Sequence, residues 1–207
     1  QATRELLAGK NLQVDAILEA VKGYEIHVRR QIDQIDRRAI HSETIAHSEK
    51  VFSVFEEHVE WICKGKAEVS QELGHRVAVV EDQFGFIINQ RVMIKQTDDK
   101  VAISLSEETK KLFPDLSSRG FKKGFYRPAN KNALNEILDQ VTMPKKGKLS
   151  KEQAQEENSA EFRQARKQHS AIESAINGLE STGLGLCRDK GLPGFERYAA
   201  FGRLARN

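Results

Sequence analysis

Apolar residues recur at three- and four-residue spacing through the first forty positions. Leu6, Leu7, Leu12, Val14, Ile17, Leu18, Val21, Ile26, Val28, Ile32 and Ile35 stand among charged and polar neighbours. That period predicts an amphipathic helix over 2–38. Gly9 and Gly23 leave open one long helix or two shorter ones. Between Gln31 and Arg38 only Ile32 and Ile35 are apolar, which suits an exposed arm or a helix meant for a partner.

Near Lys50 the pattern changes. Three segments rich in Val, Ile, Phe and Trp follow, at 58–63 (HVEWIC), 76–81 (RVAVVE) and 84–94 (FGFIINQRVMI). They predict strands, and Asp82–Gly85 supplies turn chemistry between the last two, so an antiparallel meander is expected. A helix over about 100–112 ends before Pro114, and a short strand is expected within 118–126 (SRGFKKGFY). Pro128 opens a helix to about Asp139, and Val141–Met143 reads as a fifth short strand. Residues 145–160 carry almost no apolar side chain, which predicts a mobile loop. A last long helix over 159–181 turns Phe162, Ala165, Ile172, Ile176 and Leu179 inward. After the glycines between Gly183 and Gly194, a terminal helix is expected at 195–206.

This order implies an α+β chain in two parts: a helical extension, 1–45, and a core, 46–207. Composition adds limits rather than detail. With 39% hydrophobic and 30% charged residues the chain can bury a core, and no apolar run approaches the ~20 residues that span a bilayer. Cys63 and Cys187 form no spaced pair, so neither a disulfide framework nor a zinc site is expected. A reducing, cytoplasmic compartment fits. The start at Gln1 and the end at Asn207 read as a fragment.

A net charge of +3 says little about nucleic acid, but its distribution says more. Lys122, Lys123, Arg127 and Lys131 cluster, then Lys145, Lys146, Lys148 and Lys151, then Arg163, Arg166 and Lys167. Such clusters suit a phosphate backbone, through charge neutralisation and counterion release. By themselves such clusters are more often solvated faces.

Six blocks carry a resemblance: KVFSVFEEHVEWICKGKA (50–67), RVAVVEDQFGFI (76–87), KQTDDKVA (95–102), KKGFYRPANK (122–131), VTMPKKGKLSK (141–151) and RKQHSAIESAINGLE (166–180). In this order they are similar to bacterial insertion-sequence transposases of the DDE type, over about residue 40 to Asn207. The resemblance implies an RNase H-like core, a five-stranded mixed sheet flanked by helices. It implies DNA strand cleavage and transfer, with three carboxylates holding two Mg²⁺ or Mn²⁺ ions.

On that resemblance the third acid is Glu173, in HSAIESAI. On the helix expected over 159–181, Arg166, His169 and Glu173 share one face, with the basic residues placed to hold DNA phosphate beside a metal. At the second acidic position this chain has Lys122, a cation that would repel metal rather than bind it, so cleavage should be lost. The first acid is Glu60, inside the first strand, or Asp82, in a turn where aspartate is also common for local reasons. Lys123, Lys145 and Lys146 are the further candidates for DNA contact. Asp98 and Asp99 match a polar pair of the family or only cap the next helix.

Other features read plainly. His41, His47, His58 and His75 lack metal-ligand spacing. Trp61 reads as packing, and the late glycines lack the strand and GK[ST] of a phosphate loop. The expected function is thus a transposase core, truncated and catalytically defective, acting on insertion-sequence ends beside the bacterial nucleoid. The alternative is a non-catalytic DNA-binding remnant, or one that pairs with itself or an intact transposase. No membrane partner is expected.

Overall fold

A computed structural model describes residues 12–63, 71–169 and 172–207. The chain is mixed α/β and divides into two compact units, Gln1–Gly74 and His75–Asn207. The division falls later than residue 45, so the segment from 46 to 74 belongs with the N-terminal helix.

In the first unit, α1 (Leu12–Ala39) is one helix through Gly23. A Cβ at Gly23 would meet nothing within 4 Å, so the glycine marks no close packing. Asp15 in the first turn and Arg37 and Arg38 in the last complement the helix dipole. Positions 2–11 of the expected helix lie outside the described residues. The following chain runs back along one flank of α1. The Gln34 amide donates to the Glu49 carbonyl and accepts from the Val51 amide, while Arg37 meets Glu43 at 2.8 Å and Glu49 at 3.0 Å. Strand β1 (Glu60–Cys63) then pairs antiparallel with β2 (Gln71–Gly74), a strand the sequence pattern does not signal.

In the second unit, β3 (Arg76–Glu81) and β4 (Ile87–Met93) form an antiparallel hairpin, bulged between Val80 and Glu81. Helix α2 (Asp98–Leu112) is the central element. Val101 and Leu105 pack with Ala78, Val80 and Met93 of the hairpin, whereas Ala102 packs with Phe121, Leu134 and Met143 on the other side. Burial on two faces explains why Val101, Ala102 and Leu105 are fully enclosed.

The far side of α2 is covered by a β–α–β unit. Strand β5 (Ser118–Gly120) runs parallel to β6 (Gln140–Thr142), joined through α3 (Pro128–Ile137), whose proline sits in its first turn. Then come α4 (Lys151–Asn158), α5 (Ala160–His169), α6 (Ile172–Leu179) and α7 (Gly191–Arg206). Between the last two, Gly183 adopts φ 105°, a left-handed conformation that favours glycine. The Asn207 side chain closes the unit on β4, accepting from the Ile87 amide at 2.8 Å and donating to its carbonyl at 3.0 Å.

Among the described residues the strands pair two by two, in three ladders, and the expected five-stranded sheet is not shown. One expectation is corrected. The region 145–160 contains α4, started by a reciprocal capping box in which the Ser150 hydroxyl takes the Gln153 amide and the Gln153 side chain takes the Ser150 amide. Of the helix expected over 159–181, Ala160–His169 (α5) and Ile172–Leu179 (α6) are helical, and 170–171 lie outside the described residues.

Candidate functional site

Parallel pairing of β5 with β6 brings the chain past Gly120 to the C-terminal turn of α5. A Cβ on Gly120 would lie 2.9 Å from Cβ of His169, so only glycine lets this strand and helix approach so closely. The next residues, Phe121, Lys122 and Lys123, face Arg166 and His169 of α5, Ile172 and Glu173 of α6, and Pro144. Together they line a concavity of about 240 Å³. Lys122 Nζ lies 2.7 Å from Glu173 Oε1. Both side chains are substantially exposed, so this ion pair contributes at most about 1 kcal/mol to stability. Its value is geometric, since it joins the strand end to α6.

Beneath the rim, His169 Nε2 is buried and has no hydrogen-bond partner among the described residues. Burial, then the positive charges of Lys122 and Arg119, push its pKa down against a smaller upward pull from Glu173. The ring is therefore neutral at pH 7. Arg119, which sequence reasoning did not single out, is a half-buried cation near the site. Burial pushes it down to about 10, still protonated near neutrality. Its guanidinium donates to Ser106 Oγ at 2.6 Å and stacks over Phe121, 4.8 Å from the ring centroid. The only signal in sequence was an arginine within a short strand, which ordinarily points to solvent.

Five of the expected residues thus converge: Lys122, Lys123, Arg166, His169 and Glu173. Lys145 does not line the concavity. Its ammonium donates to Gln153 and its amide to Glu157, both of α4, at 2.7 Å each. Lys146 is exposed. Asp82 is committed to its hairpin, where Oδ1 accepts from the amides of Phe84 and Phe86 at 2.9 Å each. Glu60 lies on β1 of the first unit, opposite Gly74. Asp99 pairs with Arg127, and a Thr97 hydrogen bond, then Arg127, hold its carboxyl below the usual range.

Among the described residues, no three His, Cys, Asp or Glu side chains gather as a metal would require. Glu173 pairs with the Lys122 ammonium, and the other polar side chains of the rim are Lys123, Arg166 and a neutral imidazole. That donor set does not fit a hard divalent cation, which needs several oxygen ligands. It fits an anion. Among the described residues no helix is long and apolar enough to cross a membrane. No family model, curated protein or solved structure matches the chain.

Proposed function

We propose that this chain is a transposase core of the RNase H-like, DDE type in which DNA cutting has been lost and phosphate binding kept. Six motif blocks in family order support the ancestry. The observation that carries the reading is the 2.7 Å pair between Lys122 and Glu173, the residues at the second and third acidic positions of the resemblance. Two acids there would hold metal. An acid and a lysine neutralise one another, and Lys123 and Arg166 leave the rim net positive.

Such a rim holds a phosphodiester through charge-assisted hydrogen bonds without polarising it for attack. In this reading, Lys123 and Arg166 bind phosphate oxygens, and Lys122 shares its charge between the ligand and Glu173. Neutral His169 offers one ring nitrogen to the same oxygens. The site is expected to bind insertion-sequence ends near the bacterial nucleoid and to leave them uncut.

Titrating Mn²⁺ into the wild type and Lys122→Asp tests the proposal, with nicking of end-bearing duplex DNA measured beside it. Duplex binding by both proteins, with Mn²⁺ binding only in the variant, is the expected result. Nicking follows in the variant if a first acid is also in place. Tight Mn²⁺ binding or DNA cleavage in the wild type would overturn the loss of activity, and failure of both proteins to bind duplex would overturn the whole reading.

A further inference from the structure

Helix α4 lies against the core without burying any of its own residues. Eight residues form little helix alone, and most short helices are fixed by an apolar face, which KEQAQEEN lacks. What fastens α4 is polar. Glu156 pairs with Lys131 of α3 at 2.6 Å, Gln153 accepts from the Lys145 ammonium at 2.7 Å, and Glu157 accepts from the Lys145 amide at 2.7 Å. The Glu156 carboxylate is half exposed, so water and salt compete for its pair and little net stability comes from it. Three glutamates against one lysine make α4 an anionic segment. It rests on Lys131 and Lys145, one from each of the first two basic clusters of the sequence.

These two lysines adjoin the concavity. Lys145 follows Pro144, which lines it, and Lys131 and Lys145 share a narrow crevice that Phe162 of α5 also lines. On α5, Phe162 stands one turn before Arg166 of the rim, about 6 Å along the helix axis. One strand of B-form DNA advances about 3.4 Å of axis per phosphate, so phosphates two steps apart on a strand span that distance.

We infer that Lys131 and Lys145 form a second phosphate position, continuous with the concavity, which α4 occupies with its own side-chain oxygens until a linear polyanion displaces it. This position rests on the phosphate-binding reading of the concavity. It adds a ligand class, a chain of phosphates rather than a single one, and a competitor built into the fold. The oxygens of Glu156 and Gln153 stand where phosphate oxygens would, each taking a hydrogen bond from an ammonium. On leaving, α4 gives up no buried side chain of its own.

Duplex affinity at several salt concentrations, read by anisotropy on the full chain, tests this position. Glu156→Gln is expected to tighten duplex binding about fivefold at low salt. It should also deepen the slope of log K against log salt by about one, because in the wild type the displaced carboxylate offsets the phosphate that Lys131 neutralises. Glu152→Gln removes the same charge from an exposed position of α4 outside these contacts and should give neither effect. The gain should vanish in Glu156→Gln, Lys131→Met. Amide exchange over 151–158 of the wild type should quicken on saturation with duplex or with inorganic polyphosphate, and not with sodium chloride at matched ionic strength. Equal gains from Glu156→Gln and Glu152→Gln would reduce the effect to general charge and overturn the position, as would α4 amides that stay protected under bound duplex. A wild type that binds duplex, with no gain in Glu156→Gln, overturns the second position and leaves the reading of the concavity standing. Polyphosphate that quickens exchange where duplex does not bind keeps the second position and overturns the DNA reading. If neither ligand binds, both fall.

Discussion

His169 is the residue whose environment differs most from that of a surface histidine. It is wedged against Gly120, has a buried nitrogen with no partner among the described residues, and stands near two cations. A pKa lowered in the folded chain means that the unfolded chain takes up the proton more readily. The stabilising contribution is therefore complete above about pH 6.5 and is lost as pH falls from there through the folded pKa. Thermal midpoints measured from pH 8 to 5 should drop for the wild type, and His169→Gln should remove part of that slope. A variant with the same slope as the wild type would place the acid sensitivity elsewhere. Lys122 answers a different physical question. Its contact with Glu173 is exposed and of little energetic weight, but it sets an ammonium beside the carboxylate, where the family resemblance expects a second acid.

At the scale of elements, α4 shows how a local signal can outweigh composition. Its sequence, KEQAQEEN, has no apolar face, and none of its residues is buried. Its start is fixed by the reciprocal bonds of Ser150 and Gln153, and further along it Glu156 pairs with Lys131 at 2.6 Å. Ser150→Ala should cost about 1 kcal/mol and fray the first turn, read as faster amide exchange over 151–154. Unchanged exchange would show that contacts with Lys131 and Lys145 hold the helix by themselves. The Ser-x-x-Gln spacing stands in the sequence, whereas the lack of apolar side chains is what made 145–160 read as a loop. Periodicity served best where burial is one-sided or where an element is long, as in α1, α2 and β3. It failed for β2, whose QELG has no alternation and whose role is set by its pairing with β1. Strand partnership is non-local, so a list of strands did not determine that they pair in twos. The site was half legible for the same reason. Helical spacing grouped Arg166, His169 and Glu173, and family resemblance added Lys122. Arg119 was missed because its partial burial depends on Ser106 and Phe121, which tertiary packing brings to it.

For the molecule as a whole, 33 basic against 30 acidic side chains leave a field too weak to hold a polyanion by bulk charge. Much of the basic charge is also committed. Lys131 is paired with Glu156, Arg91 with Glu108, Arg127 with Asp99 and Arg197 with Asp189. On the proposed reading, DNA phosphates meet the local excess at Lys122, Lys123 and Arg166, with Lys146 available as an exposed neighbour in sequence to Lys145. Three or four neutralised phosphates give a plot of log K against log salt with a slope of about −3 to −4, far shallower than for a protein that wraps duplex. Arg166→Ala should shallow that slope by about one unit and weaken binding to every duplex sequence equally. Arg197→Ala, which removes a paired arginine of α7, should leave it unchanged. Anisotropy titrations at several salt concentrations separate these outcomes. A steep slope that neither substitution alters would mean that the phosphate footprint lies on another face of the chain, and the concavity would lose its claim to the DNA backbone.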